Sequence, residues 1–169
     1  MKVLGMSLLS ALIILAGNSL AKRKKQRIEI LDLIVLMIKA IDSQIVYSHL
    51  AVPELLKFIA GSEEFESLSF VKRVNSLIGE GVDYNKAWKK ATQEYIISYP
   101  VTDEDANMLI AFAKCLGSTD IEGQKSNCET YANLFKLKAD GLRNKADSSA
   151  KIYNSLGVLT AALVFIILY

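Results

Sequence analysis

The chain has 169 residues, 51% of them hydrophobic and 22% charged, with 9 glycines and 2 prolines. Twenty Lys and Arg against 18 Asp and Glu leave +2, too weak a bias for a nucleic-acid binder. The apolar fraction excludes a disordered or collagen-like chain. One His and two Cys give no material for a zinc site or a disulfide scaffold, and no cofactor is expected. A mean hydropathy of +0.27 is high for a soluble domain and points to segments that live in lipid.

Two runs supply that hydropathy. Val3 to Ala21 carries no charge over 19 residues, and Ile152 to Tyr169 carries none over 18. As helices each would reach roughly 27–28 Å, enough for a bilayer core. The reading is an N-terminal transmembrane helix over 1–21, a helical-bundle domain over 22–151, and a C-terminal transmembrane helix over 152–169. A cleaved signal peptide is the alternative for the first run. The dense cluster Lys22, Arg23, Lys24, Lys25 and Arg27 argues for a retained anchor, because such clusters stay on the cytoplasmic side. Arg143, Lys145 and Lys151 before the second run give the same orientation. Residues 22–151 are therefore expected in the cytoplasm and both termini on the opposite side. The basic cluster is also a candidate for holding the neck on anionic membrane lipid.

Apart from Lys2 and that cluster, 14 basic residues face all 18 carboxylates, so the body of the domain is mildly acidic. Its spacing is helical throughout. Ile28 to His49 reads as a first helix with Leu31, Ile34, Val35, Ile38, Ile41 and Ile45 inward, widened by Leu33, Leu36 and Met37. Pro53 fits the first turn of a second helix that reaches Ala60 and ends at Gly61. Ser62 is a candidate cap for a third helix to Ile78, with Phe65, Leu68, Val71 and Leu77 inward and Gly79 and Gly81 as its break. Asp83 caps a fourth that buries Ala87, Trp88, Ala91 and Tyr95 and ends before Pro100. Thr102 and Asp105 form an approximate capping box for a fifth that stops at Gly117. Thr119 and Glu122 form another for a sixth. From there the seam Ile121, Lys125, Cys128, Ala132, Phe135, Ala139, Leu142, Ala146, Ser149 and Tyr153 leads directly into the second span. The sixth helix is thus a candidate to run unbroken from domain to span, with Gly123 and Gly141 as its weak points. The fold class is all-α: six helices in one cytosolic bundle between two transmembrane helices.

Catalytic constellations are missing from this pattern. No Walker loop, GxSxG, HExxH or dinucleotide fingerprint is present. His49 reads as a helix-end residue, and Cys115 and Cys128 as packed thiols at different heights. The acidic groups Glu63, Glu64, Glu66 and Asp103, Glu104, Asp105 fit helix first turns, with docking of a basic partner as the sharper alternative. A hydrolase assembled from Asp42, Glu63 and Asp83 is the remaining catalytic option, and the expectation is that the chain is not an enzyme.

The basic-flanked first span, the segment IDSQIVYSHLAVPELL, LGSTDIEGQ at a helix start and the closing KIYNSLGVLTAALVFIILY together resemble the stage III sporulation protein AB family over essentially the whole chain. The resemblance implies a cytosolic region similar to platform protein F of type II secretion and type IV pilus machines. It implies a place in a channel complex between mother cell and forespore, in the outer forespore membrane, with the domain in the mother-cell cytoplasm. The implied partners are a secretion-type ATPase (stage III sporulation protein AA) and other stage III channel membrane subunits. The residues themselves point to membrane lipid and to self-association as a candidate, and the charge balance to no nucleic acid. Those secretion platforms carry two such domains and more spans, whereas this chain has one domain. The expected role is a non-enzymatic adaptor that couples the ATPase to the channel. The alternative is a membrane-anchored signalling or chaperone-like binding module.

Candidate partner-binding residues follow from the matched segments: Pro53, Glu54, Gly117, Asp120 and Gln124. Each also has a local role open to it, as helix-start proline, dipole partner, helix stop, cap or short-range hydrogen bond. Gly157 and Ala161, four apart in the second span, are candidates for close packing of membrane helices.

Overall fold

The computed structural model describes the backbone of residues 2–48 and 50–168, and the side chains of residue 19 and of residues 21–48 and 50–146. His49, the side chains of the expected first span other than residues 19 and 21, and those of the whole second span, including Gly157 and Ala161, lie outside the described residues. Six α-helices in chain order, with no strand among the described residues, confirm the all-helical bundle: α1 Lys2–Ser43, α2 Val52–Gly61, α3 Ser69–Gly79, α4 Tyr84–Ser98, α5 Asp103–Cys115 and α6 Ile121–Leu168. No helix among the described residues is long and apolar enough to cross a membrane.

The ends of the chain correct one expectation. A separate first-span helix followed by a helix from Ile28 is replaced by one continuous α1. Nothing between residues 21 and 28 breaks a helix: AKRKKQRI holds neither Gly nor Pro, and Lys, Arg and Gln are good helix formers. α1 closes in a π-turn over Gln44–Ser48 that still buries Ile45. α6, as its seam suggests, runs as one helix from the bundle to Leu168, through both Gly123 and Gly141.

The core sits where α1 and α6 lie along each other, flanked by α2 to α5. Leu31, Ile34, Val35, Met37, Ile38 and Ile41 fill it from α1, whereas Leu36 is half exposed on the outer side. From α6 come Cys128, Ala132, Phe135 and Ala139. The heptad seam is thus correct from Cys128 to Ala139, with Leu142 half-buried against the core, but not at its start, where Ile121 and Lys125 are exposed. Ser149 and Tyr153 lie outside the described side chains. Small residues at 132 and 139 let the two backbones approach while Phe135 fills the space between them. Phe70 packs against Trp88 and Tyr95 at ring separations of 5.7 and 5.3 Å, and these rings join α3 to α4.

Between α2 and α3 the expected single helix is split. Glu63–Phe65 form a 3-10 turn, and α3 starts only at Ser69. The tighter turn places Phe65 and Leu68, three apart, on one side, and both are buried. Ser62 makes no side-chain cap. At the other end of α3, Gly81 takes φ +85°, and the amides of Gly81 and Val82 return to the carbonyls of Ile78 and Leu77. That is a Schellman stop, and it needs a residue at ease with positive φ.

Two expected caps hold. Asp83 accepts from the Lys86 amide at 3.2 Å at the start of α4. Thr102 and Asp105 exchange backbone and side-chain bonds in a complete capping box on α5. On α6 the cap shifts by one residue: Asp120 Oδ1, not Thr119, accepts from the Gly123 amide at 2.9 Å. The carboxylate is the stronger acceptor of the two, and Gly123 permits the tight turn. A Cβ there would fall 2.7 Å from Thr119 Oγ1.

Candidate partner-binding site

One buried carboxylate fixes how the long helices stand relative to α5. Asp105 is fully buried on α5. Arg27 of α1 donates to it from Nε at 3.0 Å and from Nη2 at 3.2 Å, and Nη2 also reaches Thr102 Oγ1 at 3.1 Å. Lys138 of α6 lies 2.8 Å from the second carboxylate oxygen and 3.0 Å from Glu104. Burial pushes the Asp105 pKa up, but Lys138, the Thr102 bonds and Arg27 together hold it below its ordinary value of 3.8. Arg27 is therefore corrected from a lipid-facing cation to a strut inside the bundle. Asp105 is likewise more than a dipole partner. Lys22, Arg23, Lys24 and Lys25, one turn earlier, are exposed. A second tie joins the same helices, where Arg143 of α6 bonds both Asp32 of α1 and Asp140.

These ties define two ends of the bundle. At the Arg27 end, Gln26 and Glu29 share an open cleft of about 330 Å³ with Ser67, Ser98, Tyr99 and Pro100. At the far end lie the π-turn, the start of α2 and the α5–α6 turn. All five candidate residues fall there. Gly117 takes φ +72°, and a Cβ built on it would lie 3.0 Å from Val52 Cγ2, so the α5–α6 turn abuts the start of α2. Pro53 and Glu54 are exposed in the first turn of α2.

The candidates differ in what they leave free. The Gly117 amide donates to Gln124 Oε1 at 3.2 Å, and Gln124 Nε2 donates to the Thr119 carbonyl at 3.1 Å. Ser118 Oγ closes on the Cys115 carbonyl at 2.8 Å. Gly117, Asp120 and Gln124 thus build the turn through these bonds. Pro53 and Glu54 present surface. Two apolar side chains that the sequence did not mark as contacts join them: Tyr47, 83% exposed, and Ile121, which the seam placed inward and which is 45% exposed. An aromatic ring, an isoleucine, a proline and one carboxylate are thus exposed at this end of the bundle.

The acidic trio does not assemble. Asp83 is spent on the α4 cap and Glu63 is exposed in the 3-10 turn. Asp42 borders a small cavity of about 200 Å³ with Lys39, Cys128, Glu129 and Asn133. Burial raises its pKa, Lys125 counteracts this, and Glu129 adds to it. Cys115 and Cys128 are free thiols, and burial, helped by Asp42, pushes Cys128 up to about 12. Among the described residues no group of three or more His, Cys, Asp and Glu is placed to hold a metal.

The described residues define an all-helical bundle protein in which two long helices form the spine. The chain matches the family described as stage III sporulation protein AB over residues 2–169, and it belongs to that family. Its role accordingly lies in sporulation. No curated protein and no solved structure matches the chain.

Proposed function

We propose that the chain is a non-enzymatic membrane platform of the sporulation channel between mother cell and forespore. In this reading the apolar ends of α1 and α6 anchor it, the domain faces the mother-cell cytoplasm, and the Tyr47–Pro53–Glu54–Ile121 end receives a secretion-type ATPase. The observation that carries the reading is the layout of the spine. α1 and α6 pack along each other, are tied at their Arg27 and Arg143 levels, and extend as single helices beyond those ties. Both uncharged runs lie on those extensions, so the contact surface stands at the end away from them. A force applied there has a continuous helical path towards the apolar segments, without chemistry in the chain itself.

The test is recruitment. In sporulating cells, Tyr47→Ala combined with Ile121→Ser and Glu54→Lys should release the ATPase from the membrane while the variant itself stays membrane-bound. ATPase that remains membrane-bound in cells lacking residues 22–151 would overturn the reading. So would digestion of those residues by protease added outside intact mother cells.

A further inference from the structure

α6 has two faces, and the bundle uses one. Cys128, Ala132, Phe135 and Ala139 are buried against α1, and Tyr131 and Lys138 face α5. On the opposite side Thr130, Leu134, Leu137 and Gly141 form an exposed line at alternating spacings of four and three. Leu134 is 44% and Leu137 69% exposed, and the space over Gly141 is open. Four-three spacing is the repeat by which two parallel helices mesh. Exposed leucines at successive positions of such a line need a cover.

We infer that the Leu134–Leu137 face of α6 pairs with the same face of a second copy of this chain. The inference rests on the proposed reading that the apolar ends of α1 and α6 enter one membrane. Copies held in one bilayer stand parallel and at equal height, so an in-register α6 pair is the arrangement their anchoring imposes. A two-fold axis through the line then brings Leu134 and Leu137 against their own counterparts. The flanking charges fit that geometry. In a parallel pair meshed at 134, 137 and 141, position 140 of one helix faces position 145 of the other. These are Asp140 and Lys145, so each copy offers the other one attraction of opposite sign. Asp140 already holds Arg143 of its own helix at 2.6 Å, and the second cation would add to that pair. Four leucines cover too little area to join freely diffusing domains. Confinement to a membrane raises the effective concentration of the parallel partner and makes a seam this short sufficient.

Symmetric cysteine crosslinking of the full chain in sporulating-cell membranes tests this. In a background of Cys115→Ser and Cys128→Ala, Leu137→Cys and Leu134→Cys should each give a disulfide-linked homodimer under mild oxidation. Ile97→Cys, more exposed still but on α4, should give severalfold less. Leu137→Arg in the native-cysteine chain should lower homodimer recovered by amine crosslinking, with circular dichroism unchanged. Leu137→Cys no more dimeric than Ile97→Cys, or linked to a different protein, overturns the pairing while the membrane reading stands. A chain released from membranes by alkaline carbonate overturns both.

Discussion

Arg27 Nε lies 3.0 Å from Oδ2 of Asp105, a carboxylate that shows no surface to solvent, across 78 positions of sequence. With Lys138 on the other oxygen, one α5 side chain holds α1 and α6 in place. The three side chains form a unit, because removing any one leaves charge without its partner in a poorly solvated place.

Breaking that unit from its centre should be costly. Replacing Asp105 with Ala leaves two cations facing each other, and loss of one member of a buried pair costs about 3–5 kcal/mol. Urea unfolding of the full chain in detergent, followed through the buried Trp88, should show it. Acid reads the same unit. The folded protein holds Asp105 below its ordinary 3.8, so its contribution is complete above that value and is lost as pH falls through the lower folded value. The wild-type urea midpoint should therefore drop below about pH 4, and the drop should be shallower in Asp105→Asn. A variant as acid-sensitive as wild type would mean that other carboxylates govern the transition.

Gly117 and Gly81 separate conformational strain from crowding. Both have positive φ, at +72° and +85°, and alanine in that region costs about 1–2 kcal/mol. Around Gly81 there is open space, whereas at Gly117 the new methyl meets Val52 at 3.0 Å. Gly117→Ala should thus destabilise more than Gly81→Ala, and Val52→Ala should narrow the gap. Equal effects would show that the turn shifts freely away from α2.

The two thiols should report opening of the bundle. Cys128 is buried, with its pKa pushed up to about 12, so at pH 8 almost none of it is the reactive thiolate. Iodoacetamide should modify half-buried Cys115 well before Cys128. Cys128 labelling should accelerate with urea in step with loss of Trp88 burial. Mass spectrometry of the labelled peptides distinguishes the two sites.

How far the sequence could be read depended on whether a feature was local. The Asp83 cap, the Thr102–Asp105 box and the Gly117 stop each involve residues within four positions, and all three were legible. The inward residues of α4 followed from period alone. Arg27 was not legible in this way. In one dimension it is the last member of a basic run, and only the fold brings Asp105 and Thr102 to it. The break at Leu68 was hidden because Phe65 and Leu68 also satisfy helical spacing, so periodicity cannot tell a 3-10 turn from a first helical turn. At the candidate site, Pro53, Glu54, Gly117, Asp120 and Gln124 were found by resemblance, but which of them remain free depends on hydrogen bonds. Tyr47 and Ile121 became visible only as exposures.

Tyr47 and Phe135 place function and stability on different aromatic rings. Phe135 is fully buried between α6 and its neighbours, and Phe135→Ala should cost about 3–5 kcal/mol through lost burial and the cavity left behind. Tyr47 projects from the π-turn with 83% of its surface exposed. Its removal should change stability by no more than about 0.5 kcal/mol. If the far end is the contact surface, Tyr47→Ala should nevertheless impair sporulation when expressed at wild-type level. Conservative Tyr47→Phe should retain most of the function, because the ring supplies the contact area. Sporulation efficiency and membrane-bound ATPase, measured beside the unfolding midpoint, separate the two effects. A sporulation defect in Tyr47→Ala that tracks a fall in its unfolding midpoint would move Tyr47 from the contact surface to the scaffold.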